Sequence, residues 1–229
     1  MNVGYSKHWQ ELMKERLIYM NKKNPELWSL NVDKQRWIEK FIHPHTRVKD
    51  WDGIITEEGS DLYTFPIFTK EFCEMIIDEA EHQDLWVTDR HSNYPSTEFP
   101  LRELGLYDTY DFVLKEYVFP IARHIWGLTG SEWGSKMTHD TFMAKYSPEE
   151  QGHLSSHIDA SNYTVTLALN DEFTGGGTWY NRQQTLIMAP VGHMCLFPMP
   201  THRHSGRWID SGVRYIIVSF SRCGMDNWG

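Results

Sequence analysis

Apolar residues in the first half of the chain recur at the three- and four-residue spacing of amphipathic helices. One such stripe lies between residues 9 and 20. Asp33 and Thr69 have side chains that cap helix N-termini, and each precedes another apolar stripe. The longest stripe spans residues 110–125, where Pro120 must kink the helix or divide it in two. The N-terminal half is therefore predicted to be helical.

From about residue 139 the period changes to strict alternation, which is typical of strands with one buried face. The predicted strands are 141–146, 162–169, 178–181, 185–188, 193–197 and 213–220. Glycines and prolines separate them, as expected for turns. Many short strands without helices between them indicate a β-sandwich or jelly roll, so the predicted class is α+β, with N-terminal helices flanking the core.

The length of 229 residues suits one domain with a sizeable core. We predict a helical extension over residues 1–60, packed on a domain that covers residues 61–229. The chain has no apolar run of about 18 residues, so no membrane span is predicted. Its N-terminus has no apolar segment of the secretory type. The net charge of −9 argues against a nucleic-acid partner and is compatible with a cationic partner or with ordinary solubility.

Two His-x-Asp pairs are candidates for metal binding. His157 and Asp159 lie just before a predicted strand, and residues two apart on a strand point to the same face. The other pair, His82 and Asp84, follows a predicted helix, where residues two apart diverge around the axis. We expect His82 and Asp84 to be surface residues.

A second histidine pair and an arginine follow far along the chain. His202 or His204 could add the third ligand of a two-histidine, one-carboxylate iron(II) site, which leaves coordination positions open. Spacing alone does not choose between these two histidines. Arg214 begins a very apolar strand, where it could pair with the distal carboxylate of a keto acid or simply reach water from the strand end.

These residues belong to a longer set of motifs that resembles the catalytic domain of the procollagen lysyl hydroxylases, which are 2-oxoglutarate dioxygenases. The resemblance covers most of the chain. The matching segments are YTFP at 63–66, YVFP at 117–120, KYSPEEQ at 145–151, HIDAS at 157–161, ALN at 168–170, GGG at 175–177, THRHSG at 201–206 and RYIIVSF at 214–220.

The resemblance implies a double-stranded β-helix core of the jelly-roll or cupin-like type. It implies that iron(II) is held by His157, Asp159 and His204. Arg214 would bind 2-oxoglutarate, and Tyr146 would line the co-substrate pocket. Thr166 stands where the family has an asparagine, so a polar contact with the co-substrate differs there. The glycine run would make a tight turn near the site.

The implied activity is hydroxylation of peptidyl lysine at C5 in collagen-like polypeptides, with L-ascorbate keeping the iron reduced. The family also implies a homodimer, the lumen of the endoplasmic reticulum, and glycosyltransferase domains ahead of this one. A giant-virus relative would instead be associated with the host cell or virion. Two alternatives remain: a hydroxylase of prolyl or other protein side chains, and a non-catalytic cupin-like binding module.

Overall fold

The computed structural model describes residues 21–91, 93–128 and 137–223. The helix predicted between residues 9 and 20 and the tail after residue 223 lie outside these ranges. A 3-10 helix at Pro25–Asn31 comes first. The α-helices of the described residues are α1 Lys34–Phe41, α2 Pro44–Val48, α3 Lys70–Gln83, α4 Tyr107–Val113 and α5 Phe119–Trp126.

The two predicted helix caps are confirmed. The side chain of Asp33 accepts a hydrogen bond from the backbone N–H of Arg36 at 3.0 Å, at the start of α1. Thr69 accepts one from the N–H of Phe72 at 3.4 Å, at the start of α3. Each bond satisfies a backbone donor that has no partner within the helix.

The long apolar stripe forms one helical run that is divided by a π-helical turn. This turn, Leu114–Val118, joins α4 to α5. Pro120 lies in the first turn of α5, directly after the wider turn. Since proline has no N–H to donate, it is best tolerated where the regular hydrogen-bond ladder is already interrupted. The predicted division therefore takes the form of a π-helical turn.

The strands form two facing antiparallel sheets and one two-stranded ribbon. They are β1 Thr56–Gly59, β2 Leu62–Pro66, β3 Thr97–Pro100, β4 Met137–Tyr146, β5 Leu154–His157, β6 Tyr163–Ala168, β7 Phe173–Gly175, β8 Thr178–Tyr180, β9 Thr185–Ile187, β10 His193–Pro198, β11 His204–Gly206, β12 Ile209–Gly212 and β13 Arg214–Cys223. The major sheet has the order β1-β2-β10-β6-β13-β4-β3, and the minor sheet has the order β5-β11-β8-β9. The ribbon pairs β12 with β7.

Side chains alternate between two apolar layers along the central strands of the major sheet. Met143 and Ile217 face the helices, in the largest cluster of buried side chains. Phe142 and Val218, each next to one of these in sequence, point into the space between the two sheets. This arrangement confirms the predicted α+β jelly-roll class. No helix among the described residues is long and apolar enough to cross a membrane.

The boundary predicted at residue 60 falls inside the hairpin formed by β1 and β2. Buried residues of α1, such as Trp37 and Phe41, share one apolar cluster with Phe65 of β2. The division into residues 1–60 and 61–229 stays a prediction.

Candidate metal and co-substrate site

Three of the predicted site residues converge between the sheets. His157 ends β5 and His204 begins β11, and the two residues are direct partners in the antiparallel pairing. Asp159 lies in the loop after β5. One ligand atom from each of the three lies within 4.8 Å of the other two. Among the described residues, this is the one group of three or more histidine, cysteine or carboxylate side chains that could hold a metal ion.

The way in which His157 and Asp159 meet differs from the prediction. They were expected to share one face of a strand, but β5 ends at His157 and Asp159 belongs to the following loop. The carboxylate reaches the imidazole because the chain turns from the minor sheet toward β6 of the major sheet. Alternation along a strand is therefore not the reason for their proximity.

Backbone carbonyl groups orient both imidazole rings of the site. Nδ1 of His157 donates to the carbonyl of Ser155 at 2.7 Å, and Nδ1 of His204 donates to the carbonyl of His202 at 2.9 Å. Each ring then presents Nε2 as the free ligand atom. These Nε2 atoms lie 3.2 Å and 3.6 Å from the carboxylate oxygens of Asp159.

The carboxylate of Asp159 is buried and well supported. The hydroxyl of Thr164, on β6, donates a hydrogen bond of 2.7 Å to Oδ2 of Asp159. Burial opposes ionisation, but the hydrogen bonds and the neighbouring imidazoles outweigh it and hold the pKa of Asp159 below its usual value. Burial lowers the pKa of His204, so its ring is neutral at pH 7. A neutral imidazole and an ionised carboxylate are the forms that bind a metal ion.

His202, the other histidine that spacing left open, points away from this group. Its Nδ1 pairs with the hydroxyl of Thr201 at 2.9 Å, and its Nε2 pairs with the carbonyl of Ser60 at 3.0 Å. Both ring nitrogens are thus occupied by hydrogen bonds. The contribution of His202 to the site is its backbone carbonyl, which holds the ring of His204.

A cavity of about 460 Å³ opens beside the three residues, and Arg214, Tyr146 and Thr166 line it. Arg214 begins β13 directly opposite Tyr146 on β4. Its guanidinium donates to the carbonyl of Gly177 at 3.3 Å and to the hydroxyl of Thr178 at 3.4 Å. It forms no ion pair with any carboxylate of the residues described, although a guanidinium stays charged even where burial lowers its pKa.

The side chains next to Arg214 are neutral. Burial raises the pKa of Tyr146 to about 12, so its hydroxyl stays protonated. Thr166 lies on β6 and pairs with Val218 of β13. Polar groups and a single unpaired cation therefore define this end of the cavity, and they suit an anionic ligand.

The predicted glycine turn passes beside the arginine. Gly175, Gly176 and Gly177 all have positive φ angles, between 74° and 86°. At Gly176 a Cβ atom would meet side-chain atoms of Ile209 at 2.7 Å and of Arg214 at 3.5 Å. The left-handed backbone and the crowding both favour glycine here.

Comparison with known proteins finds a matching domain family, and it finds relatives among the procollagen lysyl hydroxylases that the motifs resemble. The OGFOD2-like domain family matches residues 17–131, which is half of the chain. A rat protein named multifunctional procollagen lysine hydroxylase and glycosyltransferase LH3 is 30% identical over 212 residues, which covers 86% of this chain and 28% of that protein. A procollagen lysyl hydroxylase and glycosyltransferase of Acanthamoeba polyphaga mimivirus is 31% identical and covers 85% of this chain and 23% of its own length.

The chain thus spans about a quarter of the length of these relatives. Among solved structures, a prolyl-4-hydroxylase of Pseudomonas putida superimposes with a TM-score of 0.53 at 12% identity, covering 72% of this chain and 94% of that one. This likeness agrees with the jelly-roll fold. By the family match and by its relatives, the chain belongs to the OGFOD2-like domain family and is a homologue of the procollagen lysyl hydroxylases.

Proposed function

We propose that this chain is an iron(II)- and 2-oxoglutarate-dependent dioxygenase that hydroxylates peptidyl lysine at C5 in collagen-like polypeptides. His157, Asp159 and His204 would hold the iron, and Arg214 would bind the distal carboxylate of 2-oxoglutarate. L-Ascorbate would keep the iron reduced. The names of the lysyl hydroxylase relatives support the reaction class and the substrate.

One observation carries the proposal: a buried group of two histidines and one carboxylate shares its cavity with an arginine that has no carboxylate partner among the described residues. The donor set suits iron(II), because it leaves coordination positions open for ligands other than protein. The unpaired guanidinium suits a dicarboxylate, because a bidentate pair with a carboxylate would offset the cost of its burial. A cupin-like binding module that binds no keto acid would leave the buried guanidinium of Arg214 without a function.

When bound, iron(II) and 2-oxoglutarate supply the oxidation: dioxygen gives one oxygen atom to a C–H bond of the substrate and the other to succinate, with release of carbon dioxide. The protein supplies geometry and exclusion of water. Ser155 and His202 fix the two rings through their carbonyl groups, and Thr164 fixes the carboxylate. Arg214 anchors the co-substrate and takes no part in bond making.

Tyr146 and Thr166 complete the proposed co-substrate site. Both line the cavity, on strands β4 and β6 that flank β13 and Arg214. We propose that the protonated hydroxyl of Tyr146 donates to 2-oxoglutarate, and that Thr166 offers a hydroxyl where the lysyl hydroxylases have an asparagine.

The proposal extends to the setting of the protein. We propose a homodimer in which residues 61–229 form the dioxygenase domain of a longer polypeptide and residues 1–60 form a helical extension. The compartment would be the lumen of the endoplasmic reticulum, or the host cell or virion if the protein is viral. Dimerisation is tested by sedimentation of the purified protein.

The test of the activity is succinate formation from 2-oxoglutarate by anaerobically iron-loaded protein, on adding oxygen and a collagen-like lysyl peptide. Mass spectrometry of the peptide should show the gain of one oxygen atom on lysine. His204→Ala should abolish the gain, whereas His202→Ala retains the three proposed ligands and is the matched control. Arg214→Ala should need far more 2-oxoglutarate.

The products separate the alternatives. Oxygen found on a prolyl or another side chain would keep the oxygenase and replace the substrate. Folded, iron-loaded protein that forms no succinate under any of these conditions would refute the proposal and favour a binding module.

A further inference from the structure

The cavity has a second charged wall, away from the three proposed metal ligands. Arg90, His91, Ser96 and Asp140 line the same cavity as His157. Glu98 lies behind them and is completely buried. We refer to Arg90, His91, Ser96, Glu98 and Asp140 together as the Asp140 cluster.

Hydrogen bonds fix the Asp140 carboxylate within this cluster. Nη2 of Arg90 donates to both carboxylate oxygens of Asp140, at 2.6 Å and 2.7 Å. Nη1 of Arg90 donates to Oε1 of Glu98 at 3.3 Å. Glu98 also accepts from the hydroxyl of Ser96 and lies 2.6 Å from Nδ1 of His91. A buried carboxylate with this many partners is an anchor for Arg90, and Arg90 in turn orients Asp140.

The Asp140 cluster contains two carboxylates, those of Glu98 and Asp140, and one guanidinium, that of Arg90. The side chain of Glu98 is 0% exposed, whereas that of Asp140 is 44% exposed. Asp140 is therefore the carboxylate through which the cluster can meet a cation from the cavity. Among the residues that line the cavity, the other carboxylate is Asp159, which belongs to the proposed iron site.

The strand register places Asp140 within reach of that site. Phe220 of β13 pairs with Asp140 of β4 on one side and with Thr164 of β6 on the other. Asp140 and Thr164 are therefore two strand spacings apart, about 10 Å between backbones. Thr164 is the residue whose hydroxyl supports Asp159.

Aromatic side chains line the cavity between the Asp140 cluster and the proposed iron site. The rings of Phe142 and Phe220 line the cavity with their centroids 5.3 Å apart. The guanidinium of Arg90 lies over the ring of Phe142, with its carbon 5.0 Å from the centroid. An apolar wall that ends at a carboxylate matches a side chain with an aliphatic stem and a cationic tip.

We propose that Asp140 accepts the terminal ammonium group of the substrate lysine, whose aliphatic stem lies against Phe142 and Phe220. In lysine a single methylene group separates C5 from the ammonium nitrogen, so recognition of the tip positions the carbon to be oxidised. The proposal rests on the proposed function. It also selects among its alternatives, because a prolyl side chain has no charge for Asp140 to bind.

The test is isothermal titration calorimetry under argon, with iron(II) and 2-oxoglutarate bound, so that no turnover occurs. Two collagen-like peptides are compared, one with lysine and one with norleucine, which lacks only the ammonium group. Wild-type protein should bind the lysyl peptide roughly tenfold or more tighter, as expected for a hydrogen bond to a charged group. In Asp140→Asn this preference should fall by about tenfold.

The preference is a ratio measured within each protein, so it does not depend on the fraction that is folded. Asp84→Asn is the matched control, because it removes the same charge from an exposed position at the end of α3 and should keep the wild-type preference. An Asp140→Asn protein with the wild-type preference, or a wild-type protein with no preference, would overturn the proposal. Succinate formation by wild-type protein, measured separately, distinguishes failure of this proposal from failure of the proposed function.

Discussion

The hydroxyl of Thr164 donates a 2.7 Å hydrogen bond to Oδ2 of Asp159, and this bond ties the carboxylate to strand β6 of the major sheet. Asp159 itself lies in a loop, so the neighbouring strand holds it in the direction of the two imidazoles. A group that supports a metal ligand in this way affects metal affinity without touching the ion.

Thr164→Val keeps the shape of the side chain and removes the hydroxyl. We expect it to weaken iron(II) or cobalt(II) binding by about 10- to 100-fold. Thr164→Ser, which keeps a hydroxyl, should retain most of the affinity. Metal titration of the purified variants measures both, and equal affinity of the valine and serine variants would show that the hydrogen bond has no role.

Arg214→Met should remove at least about two thirds of the stabilisation of the protein by 2-oxoglutarate. In the wild type, ligand at 100 times its Kd should add about 2.7 kcal/mol to the free energy of unfolding. Loss of a buried charged partner costs about 2–5 kcal/mol, so the Kd of 2-oxoglutarate should rise at least about 30-fold. Thermal melts of metal-loaded protein, with and without 2-oxoglutarate, measure the effect.

Arg222→Met is the matched control for that experiment. Arg222 also lines the cavity on β13, but it is exposed and donates to the backbone carbonyl of Ala160 at 2.8 Å. Its replacement should leave the shift produced by 2-oxoglutarate unchanged. A full shift in Arg214→Met would rule out this arginine as the anchor.

Gly176→Ala should destabilise the turn beside Arg214 more than backbone strain alone predicts. Gly176 and Gly127 both have positive φ angles, for which a residue other than glycine costs about 1–2 kcal/mol. At Gly127 a Cβ atom would meet nothing within 4 Å, whereas at Gly176 it would lie 2.7 Å from Ile209. The difference between the two alanine variants in urea unfolding therefore isolates the crowding, and equal losses would contradict it.

Protonation of His139 should weaken the fold at mildly acidic pH. Burial lowers its pKa from the ordinary value of 6.5, against the opposing effect of Asp111, whose Oδ1 lies 3.4 Å from Nε2. The unfolded chain then binds more protons than the folded protein between the lowered pKa and 6.5, so stability falls as pH decreases through that interval. At higher pH, His139 is neutral in both states and does not change the free energy of unfolding.

His139→Gln should therefore flatten the pH dependence of the free energy of unfolding below pH 6.5. His82→Gln, at an exposed position of α3, is the matched control. Urea unfolding at a series of pH values measures the slopes. If the slope of His139→Gln matches that of the wild type, the buried imidazole is not a source of the acid sensitivity.

Local chemistry made much of the fold predictable. The caps at Asp33 and Thr69 follow from side chains that satisfy nearby donors. The six predicted strands appear with their ends shifted by up to four residues, because alternation reflects burial on one face of a sheet. The position of Arg214 at the start of an apolar strand could be predicted for the same reason.

The remaining features depend on contacts between distant residues. Strands β5 and β11, with the sequences LSSH and HSG, are mostly polar and show no alternating apolar pattern, yet they carry His157 and His204. The supporting role of Thr164 depends on how a loop folds back on β6, which no local motif encodes. Asp140 lies in a strand that was predicted to begin at residue 141. Its proposed role depends on ion pairs that link it through Arg90 to Glu98, and these residues lie far from it in the sequence.

The proposed iron ligands come from both layers of the sandwich, since the two histidines belong to the minor sheet and Asp159 is tethered to the major one. An ion held by all three would act as a clasp across the layers. Its binding energy would then oppose any separation of the two sheets. Chelation should accelerate amide hydrogen exchange in β5 and β11, while the major sheet, held by its own long strands, keeps its protection.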